Sequence, residues 1–296
     1  MAQAQANGIT LEYELSGPEN GQPLLMIHGV GAQLIRWPQA LCDALAAEGF
    51  RLLRYDSRDI GLSTHMIDAP IPSLAEVTAA RKAGREPDLP YTLADLADDA
   101  ADLLDALGIA AAHVVGVSLG GMVAQQLAIA HRARVLSMTS IMSQSGNPDL
   151  PGSDPAALAK LAAVAPDPQV DREGYLAHQV SLNRTLGSPA YPAPEAELRR
   201  MAGLVADRAY YPPGAARQLA AGRGAPDRRP ALRKVTCPTL VIHGSNDPLM
   251  PPICGLDTAD NIPNAWYLQL GGMGHDLPAQ LTGIYVASII ANCARA

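Results

Sequence analysis

The sequence predicts an α/β fold built on a mostly parallel central sheet. Three observations carry that expectation. Short, dense apolar runs recur along the chain, helical patterns sit between most of them, and one long Pro-rich stretch interrupts the alternation late. Near-continuous apolar runs suit strands covered on both faces, as inside a parallel sheet. Strands alternating with helices imply right-handed crossovers and a sheet flanked by helices.

The elements follow in chain order. Ile9 to Tyr13 alternates like a half-exposed strand. The runs Pro23–His28, Phe50–Asp56, Ala111–Val117, Val135–Met142, Thr239–Gly244 and Ala265–Leu270 are denser and read as interior strands. Between them, Trp37–Ala47 and Gly121–Ala130 have helical spacing. The clearest helix follows Thr92, a plausible N-cap with Asp95 in the first turn. Leu93, Leu96, Ala97, Ala100, Leu103, Leu104 and Leu107 then mark one face, and Gly108 is a fitting stop.

The alternation breaks twice. Residues 64–91 form an insertion with a helix-like stretch at Ser73–Ala83. The larger break holds many of the prolines and three helical stretches, Pro155–Val164, Arg172–Arg184 and Glu195–Ala206. It opens where one core strand ends and closes before the next, as a helical cap inserted before the last two strands would. The expected division is a core of residues 1–143 and 231–296 with a cap of residues 144–230. Apolar residues recur through the cap, which argues against a disordered loop.

Composition narrows the function. The 296-residue chain carries a net charge of -7 and no basic cluster, so nucleic acid is not an expected partner. No apolar run approaches the roughly 18 residues of a membrane span, and the first residues lack a secretory pattern. A cytoplasmic location and no membrane partner are expected. The four cysteines (Cys42, Cys237, Cys254, Cys293) are scattered, which predicts neither zinc nor a disulfide framework.

The chemistry centres on Gly116-Val117-Ser118-Leu119-Gly120, a G-x-S-x-G placed between a predicted strand and a predicted helix. A reversal this tight crowds the residues two before and two after the serine, so glycines belong there. It exposes the serine hydroxyl above a helix N-terminus. Asp247 stands just past one later strand in "VIHGSNDPLMPP", and His275 just past the last in "LGGMGHDLP". Both fall at the carboxyl edge of the sheet, where open α/β sheets place their sites. The order Ser118, Asp247, His275 gives a nucleophile, an orienting acid and a general base.

These pieces resemble the α/β-hydrolase-fold serine esterases. "MIHGVGAQ", "RYDSRDIGLS", "GVSLGG", "VIHGSNDPLMP" and "GMGHDLP" follow the family's order and span most of the chain outside the cap. In detail the chain is similar to the bacterial carboxylesterase branch that contains the aclacinomycin methylesterases. The resemblance implies a carboxylic ester hydrolase that needs no cofactor or metal; the expected cap departs too freely to carry over a substrate, and small to medium apolar esters are the expectation. It assigns the oxyanion hole to the backbone N–H groups of Leu119 and Val30. A C–C bond hydrolase, a lactonase, a perhydrolase of the cofactor-free haloperoxidase type, and a non-catalytic small-molecule receptor share the same motifs.

Other residues have two readings. Asp56, Arg58 and Asp59 contact substrate or brace the active-site edge as an ion-pair network. His243 braces the Asp247 loop, while Asp276 competes with Asp247 as the acid. For the substrate pocket, Met122, Trp37, Met250 and Leu277 are the named candidates. Cap tyrosines 175, 191, 210 and 211 are further ones. The oligomeric state is left open.

Overall fold

The computed structural model describes residues 1–296. Its strands are β1 (Ala2–Ala6), β2 (Ile9–Ser16), β3 (Gln22–Ile27), β4 (Phe50–Tyr55), β5 (Ala112–Val117), β6 (Val135–Ile141), β7 (Thr239–Gly244) and β8 (Trp266–Leu270). They form one eight-stranded sheet in the order β1-β2-β4-β3-β5-β6-β7-β8. Pairing is antiparallel through β1, β2 and β4 and parallel from β4 to β8.

The core helices are α1 (Gln39–Ala47), α2 (Leu74–Lys82), α3 (Leu93–Ala106) and α4 (Leu119–Ala130). Between β6 and β7 run α5 (Pro155–Ala162), α6 (Arg172–Leu186), α7 (Glu195–Arg208), α8 (Pro212–Arg223) and α9 (Arg229–Leu232). The chain closes with α10 (Pro252–Asp260), β8 and α11 (Thr282–Cys293). No helix is long and apolar enough to cross a membrane.

Two apolar layers sandwich the sheet. Leu25, Ile27, Leu53 and Val114 pack with α3 and α4, while Leu24, Met26, Leu52 and Val115 pack with α1 and α11. Neighbouring residues on one strand thus enter opposite layers, as the period of two requires. That double burial is why β5 is buried along its whole length and reads as a continuous apolar run. The start of α3 is a capping box: Asp95 N–H donates to Thr92 Oγ1 at 3.3 Å, and Thr92 N–H donates to Asp95 Oδ2 at 2.7 Å.

Several elements lie outside the expectation, β1 and α8 among them. β1 is a strand that hydropathy misses, because its pattern is mostly exposed. Its signal is Asn7-Gly8, with φ of 45° and 75°, the pair that a two-residue hairpin turn favours. The helix α8 is also unexpected. It buries Arg217, Gln218 and small residues rather than a leucine stripe, so its sequence carries no apolar period. Its prolines at the first turn were the available cue.

Candidate active site

The sheet's carboxyl edge brings three side chains together. Ser118 Oγ lies 3.0 Å from His275 Nε2, and His275 Nδ1 lies 2.7 Å from Asp247 Oδ2. Ser118 follows β5, Asp247 follows β7 and His275 follows β8. Parallel strands deliver all three to one edge even though His275 is 157 residues from Ser118.

Each group is held by its local backbone. Ser118 has φ 56° and ψ −118°, outside the regions an L-residue ordinarily adopts. Its N–H donates to Ile141 C=O at 2.9 Å, and its own C=O accepts from Ser143 Oγ at 2.8 Å. The flanking glycines are sterically required. A Cβ on Gly116 would stand 2.1 Å from Gly120 O, and one on Gly120 would stand 2.1 Å from Ile27 O. Asp247 Oδ1 accepts the N–H groups of Leu249 and Met250 at 2.9 and 2.8 Å, which aims Oδ2 at His275.

His243 supports that loop from below. Its Nε2 donates to Met250 C=O at 2.9 Å and lies 3.6 Å from Asp247 Oδ2. Burial pushes this imidazole below its usual range, so it stays neutral and adds no second cation beside the carboxylate. Asp276 has a different partner. It accepts from Ser188 Oγ, and burial raises its carboxyl above the usual range.

The end of α6 and the residues just after it grip the histidine loop. His275 N–H donates to Leu186 C=O at 2.7 Å, and Gly274 N–H donates to Ser188 Oγ at 2.8 Å. These ties cross between the five-helix insertion and the last loop of the sheet, and sequence patterning gives no hint of them.

The loop after β3 lies against the serine. A Cβ on Gly29 would come within 3.2 Å of Ser118 Cβ. The N–H groups of Val30 and Leu119 donate to no acceptor in the protein. Leu119 is the first residue of α4, so its N–H has no partner within the helix.

The charged cluster after β4 is a buried network. Asp56 accepts from Leu34 N–H, Leu62 N–H and Arg208 at 2.7, 2.9 and 2.6 Å. Arg58 pairs with Asp99 through two bonds of 2.8 and 2.5 Å. Asp59 pairs with Arg217 at 2.6 and 3.1 Å, and both side chains are at most 1% exposed. Every acceptor is occupied, so bracing describes this cluster better than substrate contact. Two of its cations, Arg208 and Arg217, come from α7 and α8, which sequence spacing could not reveal.

The four named pocket residues separate. Met122 is buried and Met250 half-buried, both on the α3/α4 side of the sheet with Val30 and Leu119. Gly222 of α8 closes over Leu119 and Met122: its Cβ would meet Leu119 Cδ1 at 2.9 Å. Leu277 is half-buried against the opposite layer. Trp37 is a core residue, not an open pocket wall. It is 1% exposed, lies in the α1/α11 layer and packs edge-on against His28 with ring centres 5.0 Å apart. Among the tyrosines of the insertion, Tyr175 is buried edge-on against Tyr210 at 5.7 Å, Tyr191 packs on the α1/α11 layer, and Tyr211 stacks on His65 at 4.1 Å. A groove of about 390 Å³ between α6 and α7, lined by Val180, Arg184, Glu195 and Arg199, contains none of the groups above.

Comparison with known proteins agrees with this architecture. The alpha/beta hydrolase fold model matches residues 22–279. Rhodomycin D methylesterase DauP of Streptomyces sp. is 30% identical over 96% of this chain and 95% of its own length. Rhodomycin D methylesterase DnrP of Streptomyces peucetius is 29% identical with the same coverage. Among solved structures, a meta-cleavage product hydrolase from Pseudomonas fluorescens superposes with a TM-score of 0.78 at 19% identity, covering 100% of this chain and 98% of that one. The enol-lactonase of Burkholderia xenovorans superposes with a TM-score of 0.74 at 24% identity, covering 99% and 100%. At that identity the superpositions speak to fold alone. The family model spans most of the chain, including the parallel strands of its sheet: this protein belongs to the alpha/beta hydrolase fold family.

Proposed function

We propose that the protein is a carboxylic ester hydrolase working through an acyl-enzyme on Ser118. The observation that carries this reading is the unbroken relay of 3.0 and 2.7 Å from Ser118 through His275 to Asp247. In the first half-reaction Ser118 Oγ attacks the ester carbonyl and its proton passes to His275 Nε2. Asp247 holds the Nδ1–H and stabilises the imidazolium. The tetrahedral adduct collapses, the ester C–O bond breaks, and His275 returns the proton to the departing alcohol. In the second half His275 takes a proton from water, the resulting attack frees the acid, and Ser118 regains its proton.

The free N–H groups of Val30 and Leu119 serve as the oxyanion hole. Donors of this kind are worth about 3 kcal/mol each at the transition state. The insertion of residues 144–230 acts as a cap. It supplies Gly222 against Leu119 and Met122, so it shapes the space beside the acyl group. The buried apolar residues there favour small to medium apolar esters. The methylesterases at about 30% identity support ester over C–C cleavage.

Hydrolysis of a p-nitrophenyl ester series from acetate to palmitate, with Ser118→Ala as control, tests the reading. Short esters are expected to turn over. Ser118→Ala should lose on the order of 10³-fold or more in kcat. A wild-type enzyme inert on every ester yet active on a vinylogous diketone would overturn the ester assignment.

A further inference from the structure

The loop after β3 is tied to the insertion at one point that bears directly on the free Val30 N–H. Ala32 N–H donates to Gly29 C=O at 3.2 Å, which closes a β-turn with Val30 and Gly31 at its centre. Gly31 has φ 68°, as the third residue of a type II turn requires. The turn's own hydrogen bond uses neither central N–H, so each needs a partner elsewhere. That of Gly31 donates to Gln218 Oε1 at 2.9 Å. That of Val30 is left over.

Gln218 is well placed to act as an anchor. It is 1% exposed, and its Nε2 donates to Arg58 C=O at 3.0 Å. A donor faces Oε1 and an acceptor faces Nε2, which fixes the orientation of the amide. Arg58 is itself locked to Asp99, and the adjacent Arg217 is locked to Asp59. The same helix presses on the turn from outside, with Ala215 Cβ 3.0 Å from the place of a Gly31 Cβ. The held N–H and the free one belong to successive peptide planes. Only the two soft dihedrals of Val30 separate them.

We propose that Gln218, on α8 of the insertion, is a positioning residue for the oxyanion hole: by holding Gly31 N–H it aims Val30 N–H at the oxygen of the Ser118 adduct. The inference rests on Ser118 being the nucleophile and adds that a cap residue sets the hole's geometry. The Gln218 amide is committed to Gly31 N–H and Arg58 C=O, so it acts on the reacting atoms only through the turn. Its effect therefore appears in the steps that build negative charge on the carbonyl oxygen, and not in substrate binding.

The test measures the rate at which a fluorophosphonate labels Ser118, together with kcat and KM on a short p-nitrophenyl ester. Gln218→Met keeps the volume and removes the acceptor. Gln218→Glu keeps an acceptor for Gly31 N–H and removes the donor to Arg58. Misplacing one donor should slow labelling and kcat in Gln218→Met by about tenfold to a hundredfold, with KM within about twofold. Gln218→Glu should regain most of that loss. Rates are compared below the melting transition of each variant, so a stability change does not enter them. Wild-type labelling in Gln218→Met would overturn the inference, as would equal slowing in both variants, which marks a plain structural tie. Failure of the wild type itself to label would instead overturn Ser118 as the nucleophile.

Discussion

The serine turn and the loop after β3 meet at one point, yet they are built in opposite ways. The turn draws its contacts from adjoining sheet segments: Ile141, Ser143 and the backbone of Ile27. The loop draws its contacts from the insertion. Gly31 is held by Gln218, and Gln33 Nε2 donates to Val205 and Ala209 C=O at 2.9 and 2.7 Å, all more than 170 residues away. Arg208 completes the tie by bonding Gln33 Oε1 at 2.9 Å and Asp56 Oδ2 at 2.6 Å. The position of Ser118 is thus set by the core. The geometry of the Val30–Gly31 turn is shared between core and insertion. On the proposed assignment of Val30 to the oxyanion hole, changes in the insertion act on the hole as well.

The largest break in this comparison is expected at the turn. In Gly120→Ala a Cβ would stand 2.1 Å from Ile27 O and 2.6 Å from His28 O, backbone atoms with no flexible side chain to yield. Overpacking of this kind costs about 3 kcal/mol, and displacement of the serine should lower kcat by about a hundredfold or more. Wild-type turnover in this variant would show that the turn tolerates side chains it has no room for.

A smaller effect is expected on the insertion side. Arg217→Met strips the buried Asp59 of its cation and leaves it with Met66 N–H and Tyr91. Breaking a buried pair from one side costs about 3 kcal/mol or more. Because Ser118, its turn and both bonds of the Gln218 amide keep their partners, kcat at low temperature should fall by less than about tenfold. Denaturant unfolding alongside turnover checks both halves. A loss of turnover as deep as that of Gly120→Ala would erase the proposed division between core and insertion.

The smallest effect concerns His28, at the head of the loop. Its Nδ1 accepts Gly29 N–H at 2.7 Å. Burial, with Arg36's charge adding to it, pushes this imidazole down to about 3. The folded chain therefore declines a proton that the unfolded chain takes up near 6.5. Stability from this group is complete above that value and declines as pH falls toward the folded one. His28→Asn, whose Oδ1 can still accept from Gly29, should lose less stability than wild type between about pH 7 and about pH 5. Burial lowers His113 and His243 as well, so the slope should shrink without vanishing. Parallel stability curves for the two proteins would exclude His28 from the acid response.

The interior strands and the loops that carry Ser118, Asp247 and His275 were legible in the sequence because their causes are local. A strand buried on both faces must be apolar throughout, and a serine at so tight a reversal needs small neighbours. The motif around Ser118 therefore named its own position, and Asp247 and His275 were readable as loop residues ending later strands. What was not legible lies in α8. A helix that buries an arginine and a glutamine has no hydrophobic period, so nothing in "PPGAARQLAAGR" announced that Arg217 would meet Asp59 or that Gln218 would hold Gly31. Trp37 shows the converse: an aromatic near the site in sequence went into the core layer instead.

By itself, then, the sequence determined the alternation of strands and helices, the tight serine turn, and which loops carry an acid and a histidine, since each follows from periodicity or from steric crowding between near neighbours. Only the tertiary structure decided which face of α8 meets the core and what holds the Val30–Gly31 turn. Those contacts join residues up to 187 positions apart, and polar pairing at that range leaves no pattern in either segment alone.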